Sequence, residues 1–262
     1  MKKVTAFVGS ARKKHTYDAV RQFLDNLNSL GDVECEIVTL SDHRIEICRG
    51  CKACFEKGEE FCPLKDDRDM LIEKMMESDG VVFASPNYSF QVSAAMKVFL
   101  DRLGFVFHRP SFFGKTFTSI VCQGVYGGDK IVRYLDFVGK GFGFNTVKGN
   151  CFTAFEPMTK KEARRRDKAL EKQSRRFHRR MRGPAYPTPT LFEIMVFRMA
   201  RTSMSLELDE TSHDYRYYRD KGWFESDYFY PTRMGVLKKA AGRFFDSIQA
   251  RATRKRKREP TA

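Results

Sequence analysis

The sequence predicts an α/β protein built on a doubly wound parallel sheet. Short apolar or β-branched runs alternate with amphipathic segments over about the first 155 residues, and such alternation is typical of strands joined by helices. The run at residues 80–85 is apolar almost throughout, as expected for a strand covered by helices on both faces. Ligands of such sheets lie beyond the carboxyl ends of the strands, so the loops there form the candidate site.

Five strands are predicted in alternation with helices. The first strand, residues 3–8, leads through a polar loop to a helix at 17–30, where apolar residues recur at three-to-four spacing. Thr16 is the predicted N-cap of this helix and Gly31 its end. The other predicted strands are 35–40, 80–85, 116–122 and 145–152, and the other predicted helices are 67–78, 93–103 and 129–138.

The charge divides the chain into two parts. The 262 residues hold 48 Lys and Arg against 33 Asp and Glu, a formal net charge of +15. Residues 1–150 carry a net +2 and residues 151–262 a net +13. With 42% apolar residues the chain can fill a core, which excludes a disordered class. We expect a near-neutral domain at residues 1–157 and a basic helical extension at residues 158–262.

The predicted extension combines basic and apolar segments. Residues 160–182 have the thin apolar stripe of a basic helix, residues 191–204 are strongly apolar, and residues 223–231 are aromatic. A last helix is predicted at about 236–250, ahead of a basic tail. Two interpretations stay open: a helical cap packed on the sheet or in a dimer, and a module that lies on an anionic membrane. Nucleic-acid binding is disfavoured, because no recognised binding motif accompanies the charge.

Apolar runs and cysteines both bear on the compartment. No uncharged apolar run reaches the roughly 18 residues that a spanning helix needs, and no signal-peptide pattern opens the chain. The cysteine count, 7, is odd, and a group of them is crowded into one short segment, which indicates a metal or redox site rather than a disulfide framework. We therefore expect a cytoplasmic protein.

The loop after the first strand carries the residue types that hold a phosphate. Gly9 ends the strand. Ser10, Arg12 and Thr16 then offer hydroxyls and a guanidinium beside the backbone N–H groups of the helix that follows. Neither a dinucleotide nor a nucleoside-triphosphate glycine motif is present. The alternative is an ordinary strand-to-helix turn with surface charges.

The loop after the third strand can hold a flat ring. Pro86 fixes the backbone as it leaves the sheet, and Tyr88 and Phe90 bring aromatic surface to the strand ends. The alternative is that these aromatic residues belong to the core.

Taken together, the two loops resemble the NADPH-dependent FMN reductase family of flavodoxin-like proteins. The resemblance rests on GSxR-x3-T after the first strand, P-x-Y after the third and the following MKVFLDR, and it covers about residues 1–155. It implies a flavodoxin-like five-stranded parallel sheet, FMN as the cofactor and a homodimer. The implied phosphate ligands are Ser10, Arg12 and Thr16; the implied contacts of the isoalloxazine ring are Pro86, Asn87, Tyr88, Ser89 and Phe90; Gly124, Gly127 and Gly128 are implied to close over the ring.

The most specific motif is ICRGCKACFEKGEEFCP, with cysteines spaced C-x2-C-x2-C-x7-C. Thiolates at this spacing can converge on one iron-sulfur cluster, zinc more usually takes two separated C-x2-C pairs, and reduced thiols without a metal are a third alternative. The segment follows the second strand, where the similar iron-sulfur flavoproteins carry a compact four-cysteine motif, and this resemblance implies a [4Fe-4S] centre near the flavin. Its implied ligands are Cys48, Cys51, Cys54 and Cys62. The remaining cysteines lie in apolar strands and are predicted to be inert core residues: Cys35, Cys122 and Cys151.

These features predict an FMN-dependent oxidoreductase. The cofactor would carry the chemistry, since the sequence has no nucleophile elbow and no metal-ligand spacing of histidines. The predicted donor is NAD(P)H or a ferredoxin-like protein, and the predicted acceptor is a quinone, a nitro compound, a free flavin or a similar small molecule, with or without a [4Fe-4S] cluster on the path. The alternative is a non-enzymatic redox sensor or electron carrier that docks on a membrane or an acidic partner.

Overall fold

The computed structural model describes residues 1–258, which form two compact units. The first consists of Met1–Arg49 with Leu64–Ala185, and the second of Gly50–Pro63 with the described residues from Tyr186 onward. The basic helix that begins at Lys160 therefore belongs to the first unit, although the sequence-based division puts it in the extension. The division after residue 157 stays a prediction about domains, because a compact unit need not fold on its own.

A parallel sheet forms the centre of the first unit. Its strands are β1 (Lys2–Val8), β2 (Val33–Thr39), β3 (Gly80–Pro86), β4 (Thr116–Gln123), β5 (Asn145–Thr146) and β6 (Asn150–Thr153). They are ordered β2-β1-β3-β4, and both β5 and β6 pair with β4; every pairing is parallel. This is the 2-1-3-4-5 order of a flavodoxin-like sheet, with the fifth strand in two pieces, and it confirms the predicted fold class.

The predicted fifth strand, residues 145–152, is interrupted at Gly149. The carboxylate of Asp136 accepts the Gly149 N–H at 3.1 Å and the Ser119 hydroxyl at 2.8 Å. A Cβ at Gly149 would lie 2.0 Å from Ser119 Oγ, so only glycine allows this close approach. Because the Gly149 N–H bonds a side chain instead of the neighbouring strand, the ladder breaks there.

Helices flank the sheet and build the second unit. They are α1 (His15–Asn28), α2 (Ala53–Glu56), α3 (Arg68–Glu77), α4 (Ala94–Arg102), α5 (Gly128–Gly141), α6 (Lys160–Met181), α7 (Leu191–Glu207), α8 (His213–Asp220) and α9 (Val236–Arg258), with 3-10 turns at Leu40–Asp42, Glu59–Phe61 and Gly104–Phe107. Between sheet and helices, Phe83 contacts Phe7, Phe99 and Phe117, and all of these rings are fully buried. Each buried phenylalanine stabilises the fold by roughly 1.5–3 kcal/mol relative to an exposed one.

The prediction that Thr16 caps α1 is wrong. The helix begins at His15, and Lys14 occupies the N-cap position without a side-chain capping bond. Thr16 lies inside the first turn, where its buried side chain hydrogen-bonds the thiol of Cys122. The helix also ends earlier than predicted, at Asn28. The N-cap residue of α1 therefore makes no side-chain capping hydrogen bond to the first turn.

The basic helix α6 is a cap packed on the first unit. A capping box between Thr159 and Glu162 starts it. Its apolar stripe is buried, with Phe177 edge-on to Phe23 of α1 at 5.5 Å between ring centroids. Gln173 is also buried and donates to Thr118 Oγ1 of β4 at 2.8 Å. Of the two interpretations of the basic segments, a cap on the sheet is thus the correct one for α6.

The second unit is held together by aromatic side chains and an ion network. Trp223 meets Tyr218 and Phe229 edge-on, with 4.8 Å between ring centroids in both pairs. Arg198 of α7 is buried and donates to Asp246 of α9 at 3.0 Å and to Asp227 at 2.9 Å. Within this unit α7 packs on α9, and α2 packs on α8.

Sequence patterning does not predict α8, nor the helical state of the basic tail. α8 is short and polar, and it is anchored by two buried side chains four residues apart, Asp214 and Tyr218. The tail continues α9 to Arg258 because Thr253 is buried and donates to Glu207 of α7 at 3.1 Å. No helix among the described residues is both long and apolar enough to cross a membrane.

Candidate functional site

An open cleft lies at the carboxyl ends of β1, β3, β4 and β6, where doubly wound sheets bind ligands. The space free of protein atoms is about 530 Å³, which includes open solvent at the mouth of the cleft. The cleft is lined by Ser10, Arg12, Lys14, His15, Thr16, Pro86, Asn87, Tyr88, Cys122, Gln123, Gly124, Ala154 and Glu156.

The cleft gathers most, but not all, of the predicted cofactor residues. Those that line it are Ser10, Arg12, Thr16, Pro86, Asn87, Tyr88 and Gly124. The others lie in the bordering loops: Ser89, Phe90, Gly127 and Gly128. Lys14 and His15, basic residues of the first loop, also line the cleft, and sequence reasoning missed four further lining residues: Cys122, Gln123, Ala154 and Glu156. The position of Gln123 at the end of a strand could have marked it, whereas no sequence signal marks Glu156.

Close packing on α4 fixes the first loop. Ser93, the N-cap of α4, donates its hydroxyl hydrogen to the Gly9 carbonyl at 2.5 Å. A Cβ at Gly9 would lie 2.6 Å from Ser93 Oγ and 2.8 Å from Met96 Cβ, so a larger residue does not fit. The Ser10 hydroxyl, almost buried, donates to the Arg12 carbonyl at 2.9 Å. Strand β1 is therefore followed by a closely packed turn that leads directly to the uncapped amino end of α1.

The amino end of α1 is cationic and holds a carboxylate. Glu156 Oε1 lies 3.0 Å from His15 Nε2 and 3.4 Å from Lys14 Nζ. The hydrogen bond from Lys14, together with the charges of both bases, lowers the pKa of Glu156. The uncapped amino end of a helix attracts anions. The ionised carboxylate of Glu156 therefore lies at the place in the cleft that is best suited to bind an anion.

Residues 88–91 form a tight hairpin turn beside the cleft. The N–H groups of Tyr88 and Gln91 donate to each other's carbonyls, at 3.0 and 2.9 Å. The central residues, Ser89 and Phe90, have φ of 49° and 63°. Two-residue hairpin turns favour this left-handed region, although it costs side-chain-bearing residues roughly 1–2 kcal/mol each. The strained turn presents Tyr88 and Phe90 with about half of their surface exposed.

Asn87 connects this turn to the loop after β4. Its side-chain Nδ2 donates to the Tyr126 carbonyl at 2.9 Å, and its backbone N–H donates to the Cys122 carbonyl at 2.7 Å. Oδ1 of Asn87 is buried and accepts no hydrogen bond from any residue in the range 1–258. A buried acceptor without a donor is unusual in a protein, and a ligand N–H or O–H would satisfy it.

Two adjacent glycines are required where the loop after β4 meets α5. Gly127 has a φ of 92°, and a Cβ there would lie 2.8 Å from Phe90 Cδ1. A Cβ at Gly128 would lie 2.3 Å from Cys151 Sγ, and the Gly128 N–H donates to Gln123 Oε1 at 2.7 Å. The ring of Phe90 thus packs on Gly127 rather than into the cleft, and its predicted contact with a flavin stays a prediction.

Of the four motif cysteines, Cys48 belongs to the first unit, and Cys51, Cys54 and Cys62 belong to the second. Cys48 and Cys51 are exposed, and Cys54 and Cys62 are half-buried. None of the chain's cysteines, all of which fall in the described range, forms a disulfide. Among residues 1–258, no three His, Cys, Asp or Glu side chains are arranged so that they could hold a metal ion. The donor set is of the right type for an iron-sulfur cluster, but the four thiols are not gathered as a ligand set.

Of the other three cysteines, which are predicted to be inert core residues, Cys122 is buried, whereas Cys35 and Cys151 are only half-buried. Burial raises the pKa of Cys35 and of Cys122 to about 11 and that of Cys151 to about 12. The thiolate is the reactive form, so these thiols are unreactive at neutral pH.

The chain belongs to the NADPH-dependent FMN reductase family. Residues 2–156 match the model of that family, a range that contains β1–β6 and every residue lining the cleft. The family resemblance read from the two loops is therefore confirmed. The family consists of FMN-dependent oxidoreductases, and α6–α9 lie outside the matched range.

Curated relatives of the matched region are named iron-sulfur flavoproteins. One from Archaeoglobus fulgidus is 38% identical over 150 residues, which cover 55% of this chain and 66% of the relative. One from Methanocaldococcus jannaschii is 39% identical over 101 residues, which cover 38% of this chain and 51% of the relative. This chain thus spans between half and two thirds of the length of these relatives.

Solved structures share the fold at low sequence identity. A flavone reductase superposes with a TM-score of 0.55 at 15% identity, covering 71% of this chain and 66% of its own. The structure of RosB with bound 8-demethyl-8-formylriboflavin-5'-phosphate gives a TM-score of 0.55 at 15% identity, covering 90% of this chain and 92% of its own. An azoreductase from Bacillus anthracis gives 0.54 at 15% identity, covering 68% and 100%.

Proposed function

We propose that this protein binds FMN in the cleft and uses it to pass electrons from NAD(P)H to a small acceptor such as a quinone, a nitro compound or a free flavin. The observation that carries the proposal is the open, cationic amino end of α1 beside the buried Ser10 hydroxyl, at the strand ends of a family domain. Ser10, Arg12 and Thr16 would hold the phosphate there, with the backbone N–H groups of the first turn.

The chain offers a second set of contacts to the flavin ring. The buried Oδ1 of Asn87 needs a donor, and Tyr88 exposes aromatic surface beside it. We propose that Pro86, Asn87, Tyr88, Ser89 and Phe90 lie along the ring, and that Gly124, Gly127 and Gly128 leave room for it. FMN supplies the chemistry when bound: it accepts a hydride and releases one or two electrons. The chain's part is to bind, orient and shield the cofactor.

Titration with FMN tests this assignment. Binding should quench flavin fluorescence with one FMN per chain, and the loaded protein should oxidise NADH or NADPH with turnover in the presence of a quinone. Arg12→Gln should weaken FMN binding roughly ten-fold or more, because a charge-assisted hydrogen bond to phosphate is lost. Lys13→Gln is the matched control, since Lys13 is the adjacent cation and does not line the cleft. Equal affinities for FMN and riboflavin in the unmodified protein would refute the phosphate site.

Stoichiometric reduction without turnover would instead favour the alternative function, a redox sensor or electron carrier. The same assay therefore separates the two classes, because an enzyme consumes many equivalents of NAD(P)H per chain.

We further propose that the four motif cysteines bind a [4Fe-4S] cluster, which would supply one-electron exchange with a ferredoxin-like protein. The C-x2-C-x2-C-x7-C spacing and the names of the curated relatives support this. Cys51→Ser should abolish bound iron and acid-labile sulfide, while Cys35→Ser should leave them unchanged. Iron-free protein after anaerobic purification and reconstitution would refute the cluster and leave the FMN proposal intact.

We also propose that the C-terminal helix associates peripherally with anionic membrane. Leu237, Phe244 and Ile248 are exposed along α9, which carries nine Lys and Arg and one acidic residue, Asp246. Exposed apolar side chains flanked by cations are the pattern of helices that lie in a lipid interface. Leu237→Gln with Phe244→Gln should reduce sedimentation with phosphatidylglycerol vesicles but not α-helix content.

The homodimer that the family resemblance implies is a separate proposal. Light scattering, which measures the molar mass in solution, tests it.

A further inference from the structure

The outer face of α6 carries a row of cations. Five Lys and Arg side chains in the amino half of this helix are exposed and border one open surface depression. They recur mostly at three-to-four spacing, so they lie along one side of the helix: Lys160, Lys161, Arg164, Arg165 and Lys168. No carboxylate among residues 1–258 forms a salt bridge with any of the five. Their positive charge is therefore available to a binding partner.

The row continues along the carboxyl half of α6. Lys172, Arg176 and Arg179 are exposed on the same side, and no carboxylate in the described range forms a salt bridge with them. Glu171, which lies among them, pairs with Arg175. From its first to its last cation this face extends about 28 Å. A face of this length exceeds one small anion and fits a macromolecule.

The amino half of α6 lies at the edge of the sheet where the cleft opens. Glu156 lines the cleft, and α6 begins shortly after it, at Lys160. At the other end, a Cβ at Gly80, the first residue of β3, would lie 2.6 Å from Cζ of Phe177. The carboxyl half of α6 therefore packs near the amino ends of the strands. Of the two halves, the amino half is the one next to the proposed FMN site.

The composition of this face distinguishes between three kinds of anionic partner. The large apolar side chains of α6 are buried against the first unit: Leu170, Phe177 and Met181. The face therefore presents no large apolar or aromatic side chain to solvent. Helices that bind a lipid interface insert such side chains, and surfaces for single-stranded nucleic acid stack bases on aromatic ones. A purely cationic face instead fits the carboxylates of an acidic protein, which it attracts and orients through long-range electrostatics.

We propose that the amino half of α6 is the docking face for an acidic electron-carrier protein, which takes electrons from the cleft. The place of docking rests on the cations of α6. The kind of partner rests on the proposed function, because a protein held beside the cleft of an oxidoreductase is placed to exchange electrons there. For a one-electron haem carrier, oxidation of one NADPH to NADP⁺ and H⁺ reduces two ferric haems to ferrous haems. The motif cysteines take no part in this docking.

Neutralisation of three cations tests the docking face. A variant with Lys161→Gln, Arg164→Gln and Lys168→Gln keeps good helix formers in α6 and leaves every residue that lines the cleft in place. The probe is cytochrome b5, an acidic haem protein that accepts one electron. Its affinity, measured by isothermal titration calorimetry at low salt, should fall roughly ten-fold in the variant. The difference should vanish at about 0.5 M salt, where exposed charges are screened.

An equal loss of charge on the opposite face of the sheet is the matched control. Successive residues of a strand point to opposite faces: the Phe117 ring lies beside Gly139 of α5, and Thr118 Oγ1 accepts from Gln173 of α6. Helices α5 and α6 therefore cover opposite faces of the sheet. The control neutralises three exposed cations of α5 and should change the affinity for cytochrome b5 less than about two-fold: Lys130→Gln, Arg133→Gln and Lys140→Gln.

Turnover by the FMN-loaded protein gives a second readout. The α6 variant should reduce cytochrome b5 more slowly than the wild type, while its rates with a small quinone and with cytochrome c, a basic haem protein, should not fall. Equal loss of cytochrome b5 binding in the α5 and α6 variants would overturn the proposal, because net charge alone would then decide the affinity. A wild-type protein that does not bind cytochrome b5 at low salt would overturn it as well.

The same series separates a nucleic-acid surface and a failure of the proposed function from the docking face. A short DNA duplex that binds the wild type more tightly than cytochrome b5 at physiological ionic strength, and loses affinity in the α6 variant, would assign the face to nucleic acid and overturn the proposal. The affinity for cytochrome b5 is also measured without FMN. If cytochrome b5 binds through α6 but NADPH is oxidised with no acceptor, the proposed function fails and the docking face stands. Turnover with a quinone in a protein that does not bind cytochrome b5 refutes the docking face alone.

Discussion

The carboxylate of Glu156 lies 3.0 Å from Nε2 of His15, at the amino end of a helix that no side chain caps. The segment that carries Glu156 follows β6, and the pairing of β6 with β4 brings it to the cleft. The family domain thus carries its own anion next to the proposed phosphate site. A phosphate bound at the amino end of α1 would compete with the Glu156 carboxylate for Lys14 and His15.

Glu156→Gln should therefore tighten FMN binding. Removing one exposed negative charge near the phosphate should lower the Kd roughly two- to five-fold at low salt. Riboflavin, which lacks the phosphate, should bind both forms equally, and fluorescence titration measures both ligands. Because the pKa of Glu156 is lowered, its carboxylate stays ionised through mildly acidic pH, and the difference between the two forms should persist there.

The control for this change is Glu171→Gln, which removes an exposed glutamate on α6 that pairs with Arg175 outside the cleft. It should leave the FMN affinity unchanged. Weaker binding by Glu156→Gln would mean that Glu156 contacts the cofactor instead of competing with it.

The packing of the first loop on α4 predicts a stability change. Gly9→Ala puts a Cβ within 2.6 Å of Ser93 Oγ, so the loop or α4 must shift. We expect the free energy of unfolding to fall by about 1–3 kcal/mol, as for other overpacked sites, and FMN binding to weaken with it. Denaturant titration measures this. Gly104→Ala is the matched control because nothing lies within 4 Å of its added Cβ, and it should change stability by less than about 0.5 kcal/mol.

Strand positions could be predicted from the sequence because local patterns decide them. The apolar run of β3 and the spacing of Ala19, Phe23 and Leu27 in α1 report burial directly. The first four predicted strands and the four helices predicted with them lie within a few residues of the observed elements. The choice of the loops at the carboxyl ends of the strands as the candidate site followed from the prediction of a parallel sheet alone. Seven predicted cofactor residues consequently line one cleft.

What could not be predicted depends on contacts between distant residues. Asp136 breaks the fifth strand by binding Gly149, and Thr16 hydrogen-bonds Cys122 from inside the first turn of α1. Glu156 reaches the cleft only through strand pairing. None of these partners is close in sequence, so no periodicity or spacing records them.

The positive φ of Phe90 in the hairpin turn predicts a difference in stability between two variants of this residue. Phe90→Ala and Phe90→Gly both remove the ring that contacts Tyr126, but only glycine relieves the positive φ. The strain of about 1–2 kcal/mol is partly offset by the greater freedom of glycine in the unfolded chain, so the glycine variant should be more stable by roughly 0.5–1 kcal/mol. Thermal or denaturant unfolding of the two variants measures this difference. An alanine variant at least as stable as the glycine variant would show that the turn is not strained.

Thiol alkylation should separate the cysteines into two groups by pH. Cys122 and Cys151 have pKa values raised by burial to about 11 and about 12, so fewer than roughly one thiol in a thousand is ionised at pH 7.5. Iodoacetamide should modify the exposed Cys48 and Cys51 first in metal-free native protein, as mass spectrometry of the digested chain would show. The rate at Cys122 and Cys151 should rise about ten-fold for each pH unit up to the raised pKa, as long as the fold persists. Denatured protein, in which burial no longer raises any pKa, should be modified at every cysteine at similar rates. Modification of Cys122 as fast as Cys48 at pH 7.5 would mean that the part of the cleft lined by Cys122 opens to solvent in the native protein.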